Sequence, residues 1–349
     1  NGALNNTAVG HAALGALTSG DFNSVLGYQA GNDLTTGERN LFLGYGAGAD
    51  VTQATHNVAV GMGALGSVTA HVVGTVALGY NALPNSGLTT AANHTIAIGF
   101  SALASLQNGA RNVAIGYQSG NFIVGGGDNT LIGYRAGTQG DTYGMTTAER
   151  NVAVGSHAFG GSAGANITGK NNTAIGCEAM LQAEGAVSDN TAVGHNSLQD
   201  ITTGQANTAV GTDALTNLTT GAGNIGIGSG SMGGAVVTGN ENIAVGSHQT
   251  LDALTSGIQN IAVGSKAGSA INTGRYNTTI GFQSGLSLTT ASGSVAIGTS
   301  AMAVATTGNN NIAIGNSALN AGNITGDNNI GIGTICGDAL TSGTDNILI

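Results

Sequence analysis

Catalysis needs a small set of convergent side chains. The groups able to supply it here are seven histidines, two cysteines and seventeen acidic residues. None stands alone in a distinctive motif. His11 and His195 both directly follow a recurrent glycine, and His157 and His248 both stand one place further on. Positions shared in this way come from a repeat, so these histidines read as surface positions. Stacked coils could bring two carboxylates to the separation a glycosidase uses. The aromatic platforms that hold sugars are thin, however, and tryptophan is absent. We therefore expect no catalytic, cofactor or metal site. Cys177 and Cys336 lie far apart in different slots and read as unpaired.

Two glycine patterns also suggest chemistry. Gly61–Gly66 fits Gly-x-Gly-x-x-Gly, but it opens no helix and so lacks the helix N-terminus that holds phosphate. Gly125–Asp128 resembles part of a calcium-binding roll without its nine-residue period, which leaves calcium at the acidic corners as an alternative. Asn-x-Thr sequons such as Asn166–Thr168 follow from the repeat.

What positions all these groups is one recurring pentapeptide, plainest as Asn-Thr-Ala-Val-Gly at Asn6–Gly10 and Asn207–Gly211. Its marker glycine recurs from Gly10 to Gly333, mostly every 17 or 18 residues. A fixed short period over the whole length is the signature of a solenoid. The residue before the glycine is always Val, Leu or Ile, the one before that usually Ala, and the next Thr, Ser, Val, Ile or Leu. β-Branched residues at alternate positions mark a strand, with the aliphatic pair on one face and the small Ala on the other.

Four before the marker stands asparagine, at Asn6, Asn23, Asn40, Asn57, Asn112, Asn129, Asn151, Asn172, Asn190, Asn207, Asn224, Asn242, Asn260, Asn277, Asn311, Asn329 and Asn346. Thr75, Thr95 and Ser294 replace it in three coils. Stacking would set these amides ~4.8 Å apart, which is the spacing of an asparagine ladder. Asparagine also suits a turn with positive φ, and the two roles are compatible. The two positions before the asparagine gather more than half of the charged residues, so they form a solvated corner. A hydroxyl-glycine pair such as Thr203-Gly204 precedes them and makes a turn. The slot after the marker is often aromatic, and Ala-Leu pairs beyond it predict a second, shorter strand. Glu178–Glu184 is the best candidate for a single helical turn.

The expected fold is all-β: a parallel β-solenoid, or β-roll, of about twenty 17–18-residue coils filling 1–349. Twenty coils give a rod ~95 Å long. Asn1 falls in mid-coil and Ile349 in mid-strand, which reads as a segment cut at both ends, on which no signal peptide is expected. A thin coil with a second apolar face should associate, and three chains about one axis fit best. Three long intervals, 79–99, 133–155 and 155–176, predict surface loops, with Pro84, Tyr143 and Met145 as candidate contact residues.

Composition narrows the partners. The net charge is −10, against the basic face that nucleic-acid binding needs. No apolar run approaches the ~18 residues of a membrane span. Only 7% of residues are charged and 41% are apolar in a strict period, which is not a disordered composition. The glycines do not recur every third residue, which excludes collagen.

The cores Ser294–Gly298 (Ser-Val-Ala-Ile-Gly) and Asn311–Gly315 (Asn-Ile-Ala-Ile-Gly) resemble the head repeats of trimeric autotransporter adhesins of the YadA type. They also resemble the Asn-Thr-Ala-Ile-Gly arrays of phage tail fibres and bacterial surface fibres. The resemblance covers nearly the whole chain. It implies a trimeric, left-handed roll used for attachment, extracellular, on a virion or a bacterial cell, with a cell-surface or glycan receptor. The period here is longer than the adhesin-head coil. Two alternatives are an ice-binding β-solenoid, suggested by the hydroxyl slot from Ser19 to Ser342, and a glycan-cleaving tailspike.

Overall fold

The computed structural model describes residues 2–349 apart from 69–70, 85–86, 90–91, 140–142, 162–165 and 321. It is all-β, with no α-helix among the described residues. The chain divides into two compact units, Asn1–Ala186 and Val187–Ile349. Each is a β-solenoid built from short parallel strands, one per coil.

The first unit carries ten such strands, from Thr7–Val9 to Thr173–Ile175, and the second carries ten, from Thr191–Val193 to Ile347–Leu348. Pairing within each unit is in register, so that Ile243, Ala244 and Val245 face Ile261, Ala262 and Val263. Identical slots therefore pile up coil on coil, as the period requires.

Apart from the first and last, each strand buries its middle residue and leaves its two neighbours half-buried or exposed. The alternation is as expected, and the inward side is the one with the small residue. The core between strand and turns is thin. Ala59, Ala64, Leu65 and Val68 are all fully buried within one coil.

The second strand is not formed. The residues after the marker make consecutive turns, in which the second and fourth positions take positive φ, as at Asn196 (54°) and Leu198 (50°). Their backbone groups bond to the next coil, as in Leu14 N–H to Ala30 O at 3.1 Å and Gly31 N–H to Ala47 O at 2.9 Å. Glu178–Glu184 follows the same pattern. Glu178 (58°) and Met180 (55°) lie in the left-handed region, which a right-handed helix cannot use.

The marker must be glycine for two reasons. Its φ is about +130°, as at Gly211 (132°), a region nearly closed to residues with a side chain. A Cβ there would also overlap the carbonyl of the next marker, as Gly10 would meet Gly27.

Core volume is conserved by exchange between slots. The fourth residue after the marker is normally Leu, Met or Phe, packed against the strand's central Ala. Where two successive coils carry glycine there, the strand centre grows. Phe42 fills the space at Gly31 and Gly48, Leu131 that at Gly120 and Gly137, and Thr279 that at Gly268 and Gly285. The reverse holds at Gly226 and Gly331, where Leu215 and Leu319 occupy the space a Cβ would need. Close packing permits no other outcome without cavities or strain.

The long interval 133–155 holds a small antiparallel hairpin, Thr138–Gln139 against Tyr143–Gly144. The side chain of Tyr143, a candidate contact residue, lies outside the described residues. Met145 is not a surface residue; it is fully buried, its sulfur close to Gly137. Met145 fills the core slot that Leu, Ile or Val takes elsewhere, as at Leu106, Ile123 and Val68. Pro84 is half-buried and lines a surface cavity.

Candidate functional site

The asparagine column is the most ordered polar feature. From Asn23 to Asn329 its members are 0–2% exposed. Asn207 shows the scheme. Its backbone N–H and its Nδ2 donate to Asn190 Oδ1 at 2.9 and 3.0 Å, and Nδ2 also donates to Gly221 O at 2.9 Å. Its Oδ1 accepts from Asn224 N–H and Nδ2 at 2.9 and 3.2 Å. A buried amide so fully bonded carries little desolvation cost. These residues hold coil to coil, and they are a structural ladder rather than a reactive site.

The ladder breaks where the sequence changes. Thr75 N–H still donates to Asn57 Oδ1 at 2.8 Å, but the hydroxyls of Thr75 and Thr95 are buried without a partner. Ser294 substitutes better, since its Oγ accepts from Asn311 N–H at 3.2 Å.

The outer face of the strands is mostly aliphatic, with Thr or Ser in some coils, and free of charge. No Asp, Glu, Lys or Arg occupies either flanking position of the strand in any coil. Ile227, Ile261, Ile314 and Ile332 are 38–41% exposed on this face.

At one corner of the first unit the slot after the marker forms stacks. His11, Tyr28 and Tyr45 stack at 5.2 and 5.1 Å, and Tyr80, Phe100, Tyr117 and Tyr134 at 5.1, 5.1 and 5.4 Å. Rings piled in this way cover one another's faces, so solvent meets their edges. His157 ends the second stack edge-on to Tyr134. In the second unit the same slot is mostly Ser, Thr or Asn.

The charged corner carries ion pairs between adjacent coils. Arg111 grips Asp128 through two hydrogen bonds of 2.6 and 2.8 Å, and Lys170 bonds Glu149 at 2.9 Å. The Arg111 guanidinium holds the Asp128 carboxyl below the ordinary range, and Lys170 does the same for Glu149. Asp50, Asp200 and Asp252 shift the other way, chiefly through burial, with Asp33 adding repulsion at Asp50.

Two surface cavities open in the first unit. One, of about 440 Å³, lies along Phe22, Arg39, Leu41, His56 and Val58. Arg39 stacks over Phe22 there and pairs with Glu38. The other, of about 380 Å³, is lined by Gln29, Tyr45, Asp50, Met62, Asn81 and Pro84 with the glycines between them. No group of three His, Cys, Asp or Glu side chains converges among the described residues. Both cysteines are free thiols.

Sequence reasoning reached the asparagine ladder and the charged corner. It missed both cavities, although glycine at successive coils in one slot, Gly46 and Gly63, was a readable signal for the second. Comparison with protein-family models finds no match, and neither does comparison with curated proteins.

Proposed function

We propose that this chain is a segment of a structural and adhesive fibre, from a phage tail fibre or a bacterial surface appendage, working as a homotrimer outside the cell. The observation that carries the reading is the outer face of the strands, uncharged in every coil and aliphatic at most of its positions. Exposed apolar patches beyond a few hundred Å² mark interaction surfaces, and the cores of protein interfaces are depleted of charge. The ladder and the in-register strands give each unit stiffness, because backbone and amide groups bond from coil to coil. Weak contacts repeated along such a stack would add up by avidity. The role is mechanical and non-enzymatic: to hold a contact surface away from a particle or cell.

The test is the mass of the folded chain in solution. We expect a trimer, converted to monomer by Ile243→Arg with Ile261→Arg while the β-sheet circular dichroism signal persists. A stable monomer of the unaltered chain would overturn the assembly.

A further inference from the structure

The aromatic corner of the first unit is interrupted once, at Met62, which stands between Tyr45 and Tyr80. Tyr28 covers one face of Tyr45, and among the described residues no ring stacks on the other. Tyr45 is 58% exposed, more than Tyr28, Tyr80, Phe100, Tyr117 or Tyr134 at 42–47%. Beside it the next slot is glycine in two successive coils, Gly46 and Gly63, where the flanking coils carry Gln29 and Asn81. The missing side chains leave the cavity of about 380 Å³, within the range of small-ligand sites. No residue of the strands lines it, so it opens away from the aliphatic face and stays free in the proposed trimer.

Its lining has a definite chemistry. Tyr45, Met62 and Pro84 give apolar surface, and Met62 is unbranched and adaptable. Gln29 and Asn81 bring amides that both donate and accept, and Asp50 brings an acceptor. No Lys or Arg lines it, while Asp33 adds a second negative charge near Asp50. An apolar ring face bordered by planar amides and a carboxylate fits the apolar face and the rim hydroxyls of a pyranose. The two carboxylates disfavour an anionic ligand.

We propose that this notch binds one hexopyranose unit of an uncharged glycan, and rejects uronate or sialate units. If the fibre reading is correct, it is a place where the fibre grips its target surface.

The experiment uses the full chain on an immobilised panel of neutral hexose, N-acetylhexosamine and uronate-containing oligosaccharides. Gly46→Gln fills the notch with the residue that the same slot carries at Gln29 and Gln118, both at positive φ (53° and 52°), so folding is spared. Tyr45→Thr removes the ring face, using the residue found in that slot at Thr212. Tyr117→Thr removes a ring from the unbroken stack as a control. We expect binding to at least one neutral oligosaccharide, weakened at least tenfold by Gly46→Gln and by Tyr45→Thr, and unchanged by Tyr117→Thr. No binding by the unaltered chain, preference for uronates, or binding indifferent to Gly46→Gln would each overturn the notch. None of these results changes the mass of the assembly, so the fibre reading stands or falls separately.

Discussion

The two units use one repeat to different ends. In Val187–Ile349 the intervals stay at 17 or 18 residues, and the slot after the marker is mostly small and polar. In Asn1–Ala186 that slot is an aromatic stack, all three long intervals occur, and two consecutive rungs of the asparagine ladder are lost at Thr75 and Thr95. Both surface cavities described above lie there too. Irregularity in the repeat and chemical variety on the surface thus occur together. A solenoid tolerates this because each coil contacts only its neighbours, so a local defect is not propagated.

The sharpest way to break the contrast is to damage the regular unit. Asn207→Leu keeps the backbone N–H that donates to Asn190 Oδ1, but it removes the amide donor to Gly221 O and the acceptor of both Asn224 donors. At about 1–3 kcal/mol for each buried group left unsatisfied, we expect a loss of roughly 4 kcal/mol or more, read as a lower denaturant midpoint. An unchanged midpoint would show that the asparagine serves only its turn.

A smaller effect is expected in the first unit, where volume has been exchanged between slots. Phe42→Ala should cost about 3–5 kcal/mol. Adding Gly48→Leu should restore a large part, because the pair recreates the Ala-with-Leu arrangement of other coils, where leucine accepts positive φ. If the double variant is no more stable than Phe42→Ala alone, the compensation is not energetic.

Smallest is a gain. Thr75→Asn with Thr95→Asn would close the gap between Asn57 and Asn112. Each restored hydrogen bond is worth about 0.5–1.5 kcal/mol, so the thermal midpoint should rise by a few degrees. A fall would mean that the longer interval 79–99 has moved the acceptors out of reach.

Much of this architecture was legible in the residues. The marker glycine, the aliphatic pair and Asn207 with its equivalents follow from period and side-chain chemistry alone. The turns were not legible. Leu198 and Leu215 take positive φ, against a backbone preference of about 1–2 kcal/mol, because stacking buries them completely. Local propensity therefore suggested a second strand, and a helical turn at Glu178–Glu184, where the coil makes left-handed turns. Met145 looked like part of a protruding loop because it lies within the long interval 133–155, yet it is fully buried. The notch at Tyr45 needed three dimensions, since Gln29, Asp50 and Asn81 come from three different coils.

The ladder also has a direction. Every Nδ2 that reaches the preceding rung points the same way, with the later residue donating and the earlier accepting, as in Asn224 to Asn207 and Asn242 to Asn224. Amide dipoles aligned head to tail reinforce one another, as peptide units do along a helix. From Asn190 to Asn277 the rungs are uninterrupted until Ser294. A run of this kind has unlike poles, and an occasional hydroxyl rung limits how far that polarisation accumulates.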